Sequence, residues 1–451
     1  MENKADEQNR MHVNEALKKT KKPEFLADCR MSNCFNFDRC KPGERLKIHI
    51  YPDSSKISSS SISSTYQKII QIIESSIYYE PDESKACLFI TGYDYLDRDP
   101  LSRDCQKNLP ASLPLDYEKN RIVFNLYSGT WPDYRELVGF NLENSILAKA
   151  SFSYQNYRPG FDLSIPLFSK NHSTRGKTLM EPEDGPEYQL VDDVVIETID
   201  TTRLDSSDRK NLLVFRGKRY THGIGSETRN TLHHLHNVRD ILIYTTCKHG
   251  KKWKDLKDER CAKDNLEYEK FNYSILMANS AFWLVPRGKR LGSFRFLEAL
   301  ANGCIPVLLS NNWVKPFEDV IDWSEIVVEG DERSLLQLPE IIRSYEWKKI
   351  QQMAAKSLAV YETYFSSVER IVYTTIDILN ERIQTHLSFT TFLWILVNPS
   401  FTSFTGAIWY DAEYSFDLKD YPGYGKLSNS YSSSRSSPLS SSSASSDSFE
   451  L

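Results

Sequence analysis

Short apolar runs alternate with amphipathic stretches along most of this chain. LKIHIYP (46–52), ACLFIT (86–91) and RIVFNLY (121–127) are rich in Ile, Val, Phe and Tyr and predict strands. Between the first two lies SSTYQKIIQIIESSIYY (63–79). Its isoleucines recur at three- and four-residue spacing, which predicts an amphipathic helix. The segment 170–210 is charged and reads as a crossing between two lobes. A second alternating set begins at LLVFRG (212–217). A helix is predicted over GSETRNTLHHLH (225–236), a strand over DILIYTT (240–246) and a helix over NLEYEKFNYSILMA (265–278). The strand AFWLVP (281–286), a helix from Ser293 and the strands IPVLL (305–309) and EIVVEG (325–330) follow. Two long helical stretches, roughly 334–361 and 366–384, close this part.

Strands that alternate with helices build parallel sheets, so the predicted fold class is α/β. Two such sets predict two lobes around a cleft, with ligands at the carboxyl ends of the strands. The expected division is a polar segment 1–28, a first, acceptor-side lobe 29–200, a second, donor-binding lobe 201–385, a linker 386–427 and a Ser-rich tail 428–451. The tail has the low-complexity composition of disordered chain. Residues 387–410 carry no charge and have the length of a membrane span. Their Ser and Thr content and Asn398-Pro399 favour a partly buried linker instead.

Charge sharpens the picture at one place. The chain has 451 residues and a net charge of -5, which offers no general pull toward nucleic acid or anionic membrane. Yet VPRGKRLGSFRFLEAL sets Arg287, Lys289, Arg290 and Arg295 after a predicted strand. Gly292-Ser293 suits a turn and a helix cap, which would aim free N–H groups out of the sheet edge. That is an anion site, and phosphate fits it. Arg295 and Glu298 fall on one helix face, as an Arg for a diphosphate beside a Glu for vicinal hydroxyls, or as a plain ion pair. A second cationic loop, Arg216-Gly217-Lys218-Arg219-Tyr220, follows LLVF, with Arg229 beyond it. It is a shared diphosphate site with the first, or a basic surface turn.

Eight cysteines favour an oxidising compartment. Cys29, Cys34 and Cys40 crowd together without a CxxC pair or a His partner. Disulfides therefore fit better than zinc: a tight Cys29–Cys34 loop and a longer one such as Cys40–Cys87. The sequons at Asn171 and Asn272 agree with that compartment. Residues 1–28 contain no apolar run, so a targeting segment is expected to lie outside this sequence.

VPRGKRLGSFRFLEAL, LLVFRGKRYTHGIGSETRN and FNLYSGTWPDY resemble the exostosins, and the likeness spans roughly 29–385. The resemblance implies a two-lobed GT-B glycosyltransferase with Rossmann-like lobes, working on heparan sulfate in the Golgi and endoplasmic reticulum. It implies inverting transfer of glucuronate from UDP-glucuronate to a GlcNAc-ended chain, by the first of the family's two transferase modules. It also implies a membrane anchor elsewhere in the family and a heterodimer with a second exostosin. The alternative is a catalytically silent scaffold for the polymer or a partner exostosin. No nucleic acid is expected as partner. No cofactor is expected, because the UDP-sugar is itself the donor substrate.

By the same resemblance, Arg216, Lys218, Tyr220 and Arg229 surround UDP, while His249, Tyr268 and Tyr273 line the nucleotide. Arg295 and Glu298 complete the site, and Leu101 and Tyr134 face the cleft from the first lobe. Cys247–Cys261 is the third disulfide. Asp97-Arg98-Asp99 has the DxD form of a metal-binding motif, but it falls in the first lobe, and GT-B enzymes use cations and a helix dipole instead, so no metal is expected. The base that takes the acceptor proton is drawn from Asp99, Asp133 and Asp162. The chain departs from the family at Lys289, where Arg is common, and at Trp283, where a cysteine is expected. That leaves Cys304 free and buried.

Overall fold

The computed structural model describes residues 29–51, 62–98, 119–127, 144–168, 172, 209–220, 225–248, 253–256 and 258–397, with side chains to 388. Asp99, Leu101, Cys105, Asp133, Tyr134, Asn171 and His249 lie outside the described residues, as do nearly all of the 170–210 crossing and the tail. The chain divides into two units, Met1–Leu393 and Trp394–Leu451, and both sheets belong to the first.

The first sheet holds β1 (Ile48–Tyr51), β2 (Leu88–Thr91), β3 (Arg121–Asn125), β4 (Ile146–Ala150) and β5 (Leu163–Ile165), in that order and all parallel. The second holds β6 (Asn211–Lys218), β7 (Ile241–Thr246), β8 (Ser280–Pro286), β9 (Ile305–Leu309) and β10 (Val328–Glu329). Its spatial order is β10-β9-β8-β6-β7, again all parallel. Both faces of such a sheet must be covered, and its strands show it. Leu213, Phe215, Ile241, Ile243, Phe282 and Leu284 pack in one core, while Val214, Leu242, Trp283 and Val285 turn to the other. The period of two along each strand sorts them.

The predicted strands are found, somewhat shortened. β4 and β5 carry no clear signal: Lys149 interrupts the apolar run of β4, and β5 is three residues long. Lys149 is fully buried, its ammonium 5.2 Å from the Phe152 ring centre.

Helix α1 (Ser64–Glu74) buries Tyr66, Ile69, Ile70, Ile72 and Ile73. The Ser63 side chain caps it by accepting from the Tyr66 N–H at 3.2 Å. It stops short of the predicted residue 79 because Ser75 and Ser76 turn their hydroxyls back onto the carbonyls of Ile72 and Ile73. α2 (Ser226–Thr231) runs into a 3-10 turn over Leu232–Leu235.

The single helix expected over 265–278 is two, α3 (Cys261–Glu269) and α4 (Tyr273–Ala278). Asn272 breaks it, since its side-chain oxygen accepts from the Ile275 N–H at 3.2 Å and starts a new cap. α5 (Phe294–Ala301) starts at Ser293, as predicted. The stretch 334–361 is likewise broken into α6 (Leu338–Arg343) and α7 (Trp347–Val360), with extended Glu346 between them.

The last helix is α8 (Val368–Val397). It packs on the first lobe. Tyr78 donates to Asp377 at 2.6 Å, Asn380 accepts from the Leu46 N–H at 3.2 Å, and His386 stacks on Phe37 at 3.9 Å. Among the described residues no helix is long and apolar enough to cross a membrane.

The carboxyl ends of the two sheets meet. The loop after β8 donates its Gly292 N–H to Ser151 Oγ, just past β4, at 3.0 Å. Phe152 accepts from the Val314 N–H at 2.9 Å, and Ser164 donates to the Val314 carbonyl at 2.8 Å. Three disulfides close Cys29–Cys34, Cys40–Cys87 and Cys247–Cys261. Cys304 is a free, buried thiol whose sulfur lies 3.3 Å from Arg209 Nη1.

Candidate active site

The loops at the carboxyl edge of the second sheet bring most of the expected donor residues together. β6 delivers Arg216 and Lys218, α2 delivers Arg229, α3 and α4 deliver Tyr268 and Tyr273, and α5 delivers Arg295 and Glu298.

Arg229 is the buried centre. Its guanidinium donates to the carbonyls of Arg287 (2.8 Å), Lys218 (3.1 Å) and Pro286 (3.2 Å), so it ties the end of β6 to the end of β8. It lies 4.7 Å from the centre of the Tyr220 ring. Burial lowers its pKa to about 10, which leaves it charged at neutral pH. No carboxylate answers that charge among its described partners.

Arg295 reaches across to β6. Its Nη2 donates to the Arg216 carbonyl at 3.2 Å, its guanidinium lies 5.1 Å from the Phe215 ring centre, and its Nε has no hydrogen-bond partner among the described residues. Burial works against its charge, and the neighbouring Tyr273 and Glu298 more than offset that, so its pKa ends raised. Gly217 makes the approach possible, because a Cβ there would come within 2.9 Å of Arg295 Cζ.

No close salt bridge joins Arg295 and Glu298 among the described residues, though Glu298 is one of the charges that favour the Arg295 cation. Glu298 Oε2 instead accepts from the Tyr273 hydroxyl at 2.5 Å. Burial, and then Glu298, push that hydroxyl well above its ordinary value, so it stays a donor. Tyr273 also meets Trp283 edge-on at 5.2 Å. Arg216 lies 3.8 Å from the Tyr268 ring centre and donates to the Tyr268 carbonyl at 3.1 and 3.3 Å. One face of that ring is thus covered by a cation.

Three of the residues grouped by sequence face other partners. Asp162 is not placed as a base. It is buried, and it holds Arg158 through bonds of 2.7 and 2.8 Å while accepting the N–H groups of Leu147 and Arg158. It also precedes β5, so it sits at the amino edge of the first sheet, opposite the ligand-binding edge. Arg219, grouped by sequence with the donor cations, is buried in pairs with Asp258 at 2.8 Å and Asp264 at 3.0 Å. Arg290 turns away from the diphosphate cluster onto Tyr127 of the first lobe, 5.1 Å from its ring centre. Lys289 is exposed. Among the described residues no group of His, Cys, Asp and Glu could hold a metal ion.

Sequence reading missed Gly217, Gly288 and Glu332. A Cβ at Gly288 would lie 3.2 Å from the Tyr220 hydroxyl and 3.4 Å from Arg229. Glu332 anchors Arg287 at 3.5 Å, Thr228 at 2.6 Å and the Asn311 N–H at 2.8 Å. A glycine two residues before a cation was the available signal for the first two; Glu332, far along the chain, gave none.

Residues 42–345 match the Exostosin GT47 domain. The chain belongs to the exostosin family of glycosyltransferases, and its two parallel sheets form the GT-B fold. Over 400 residues it is 46% identical to exostosin-1 of Mus musculus and 45% identical to exostosin-1c of Danio rerio, each alignment covering 88% of this chain and 50% of the relative. It is 47% identical to exostosin-1 of Drosophila melanogaster over 383 residues, which covers 83% of this chain and 47% of that one. The chain therefore spans about half the length of these relatives. A solved structure of the wall teichoic acid polymerase TagF aligns over 84% of this chain and 97% of that one at 11% identity, with a TM-score of 0.25, too loose a likeness to bear on the fold.

Proposed function

We propose that this domain transfers glucuronate from UDP-glucuronate, with inversion, to the terminal GlcNAc of a heparan sulfate chain, making a β1,4 bond. The observation that supports this most is Arg229, buried, charged and, among the described residues, hydrogen-bonded only to carbonyls, beside the half-buried Arg295. Two neighbouring guanidinium groups, of which Arg229 has no carboxylate among its described hydrogen-bond partners, suit a diphosphate. Arg216 and Lys218 extend that positive edge. Glu298, its Oε2 held by Tyr273, has Oε1 left to accept ribose hydroxyls. The Tyr268 ring would stack on uracil in this reading.

In the transfer, the acceptor hydroxyl oxygen bonds to the anomeric carbon as the bond from that carbon to the UDP oxygen breaks. UDP leaves with the electron pair, and its growing charge falls among preorganised cations. The hydroxyl proton passes to a carboxylate, for which Asp99 and Asp133 remain the candidates. Cations carry the diphosphate charge in this reading, so a chelator is expected to leave UDP binding unchanged.

We further propose a secretory-pathway location, which the three disulfides suit, and a second exostosin chain as partner. Incubation with UDP-glucuronate and a GlcNAc-ended oligosaccharide, read by mass spectrometry, tests the activity. One added uronate, released by β-glucuronidase, is the expected result. Addition of another sugar, or none by protein that binds UDP, refutes it.

A further inference from the structure

Asn272-Tyr273-Ser274 is an N-x-S/T triplet whose asparagine the structure describes and leaves exposed. It stands in the turn between α3 and α4. The Asn272 side-chain oxygen accepts from the Ile275 N–H and its carbonyl from the Leu276 N–H, both at 3.2 Å. The residue is therefore fixed at the head of α4 as its cap.

The residues on either side turn inward. Phe271 stacks on Tyr244 with ring centres 4.0 Å apart, while Tyr273 reaches Glu298 and the edge of Trp283. Both pack against the main core. Two inward aromatic anchors leave the asparagine between them on the outside. Ile275, whose N–H it caps, is itself 57% exposed, so the head of α4 faces solvent.

The cap is compatible with a covalent modification of the same side chain. A sugar attaches through Nδ2, whereas the cap is made by Oδ1. The amide keeps one N–H after attachment, and attachment precedes folding, so contacts of the folded side chain do not oppose it.

We propose that Asn272 carries an N-linked glycan, which rests on the secretory-pathway reading above. The co-reactant is an oligosaccharide carried on a polyprenyl diphosphate. Nδ2 bonds to the anomeric carbon of the first sugar as the bond from that carbon to the diphosphate oxygen breaks. The lipid diphosphate leaves with the electron pair, and the amide gives one proton to a base of the transferring enzyme. Ser274 supplies the hydroxyl that such an enzyme requires two residues beyond the asparagine. A bulky, polar glycan belongs on a surface turn, and this turn presents one. The Tyr273–Glu298 contact, on the inward side, stays as it is.

The test is expression of the full chain behind a cleavable secretory leader, in cells that keep glycans in the high-mannose form. Endoglycosidase H trims the product, and mass spectrometry of its peptides reads each site. One HexNAc on the peptide that contains Asn272 is the expected result. Asn272→Asp retains an acceptor oxygen for the cap, and Ser274→Ala retains Asn272 itself. Each variant should lose that HexNAc and still bind UDP as the wild type does. The Cys247–Cys261 disulfide in the same digest reports entry into an oxidising lumen. A bare Asn272 in chain with that disulfide formed overturns the glycan while the location stands. A HexNAc that persists at Asn272 in the Ser274→Ala chain overturns the triplet as its cause. Chain with Cys247 and Cys261 reduced and Asn272 bare fails at the earlier step, and the site falls with the location.

Discussion

At the amino edge of the first sheet, Arg158 is buried against Asp162. At the carboxyl edge of the second, Arg229 is buried against three backbone carbonyls. Both guanidinium groups are almost wholly removed from water, at 5% and 4% exposure. The first is neutralised within 2.7 Å, so the pair projects no net charge and fastens a loop to a strand. Arg219 with Asp258 and Asp264 is a second closed set, inside the donor lobe itself. The second kind of burial leaves Arg229 charged with no carboxylate among its described hydrogen-bond partners, and Arg295 stands nearby. Taking a cation out of water costs several kcal/mol unless something answers it. Carbonyl dipoles answer part, and in the proposed function an incoming diphosphate would answer the rest. Burial alone therefore says little about role; what each guanidinium faces decides it.

The sharpest way to break the comparison is at the closed pair. Asp162→Ala leaves Arg158 buried and unpaired, and should lower unfolding free energy by about 3–5 kcal/mol, read by urea denaturation. Its folded fraction should bind UDP normally. Full stability with lost transfer would instead make Asp162 the base. The open site should show its effect in ligand binding. Gly217→Ala places a methyl against the guanidinium of Arg295 and the ring of Phe215. Arg295 can swing aside, but the fully buried Phe215 ring must shift as well, so stability should also fall, by about 1–3 kcal/mol. UDP affinity should fall about tenfold, the effect of one displaced charge-assisted bond, and calorimetry beside a melting curve reads both.

Exposed pairs should matter least. Hydrogen bonds from Lys356 and then Lys349 hold Glu325 down to about 2 from an ordinary 4.5. A carboxylate with a lowered folded pKa adds stability above its unfolded value and loses it as pH falls toward the folded one. Glu325→Gln should thus cost a little at neutral pH and nothing near pH 2, which melting curves across that window check. An unchanged difference at pH 2 would refute the assignment.

Much of this arrangement was legible in the sequence. Ser293 behaves as the cap its position announced, and Arg295 and Glu298 share the helix face that spacing of three dictates. Local rules govern both. The missing parts depend on distant partners. Arg219 reads as one more cation in a basic loop, and its neutralisation comes from Asp258 and Asp264, far along the chain. Asp162 reads as a free acid in a family of acid-base enzymes, while the turn that folds Arg158 onto it carries no strong signal. Lys149 hides β4 because a buried ammonium looks like a surface residue in one dimension. Arg290 sits among donor cations in sequence, and only the loop's path shows it turned to the first lobe. α8 is a plain amphipathic helix whose side of the molecule no pattern encodes.

The most direct test of the open-site claim is calorimetric titration of UDP into the folded chain, wild type and Arg295→Ala, with and without Mn²⁺. The account expects wild-type binding that is independent of the metal, and its loss by roughly a hundredfold or more in the variant, since a charged group paired to phosphate carries several kcal/mol. Equal affinity of a folded Arg295→Ala protein, or binding that appears only with Mn²⁺, would contradict it.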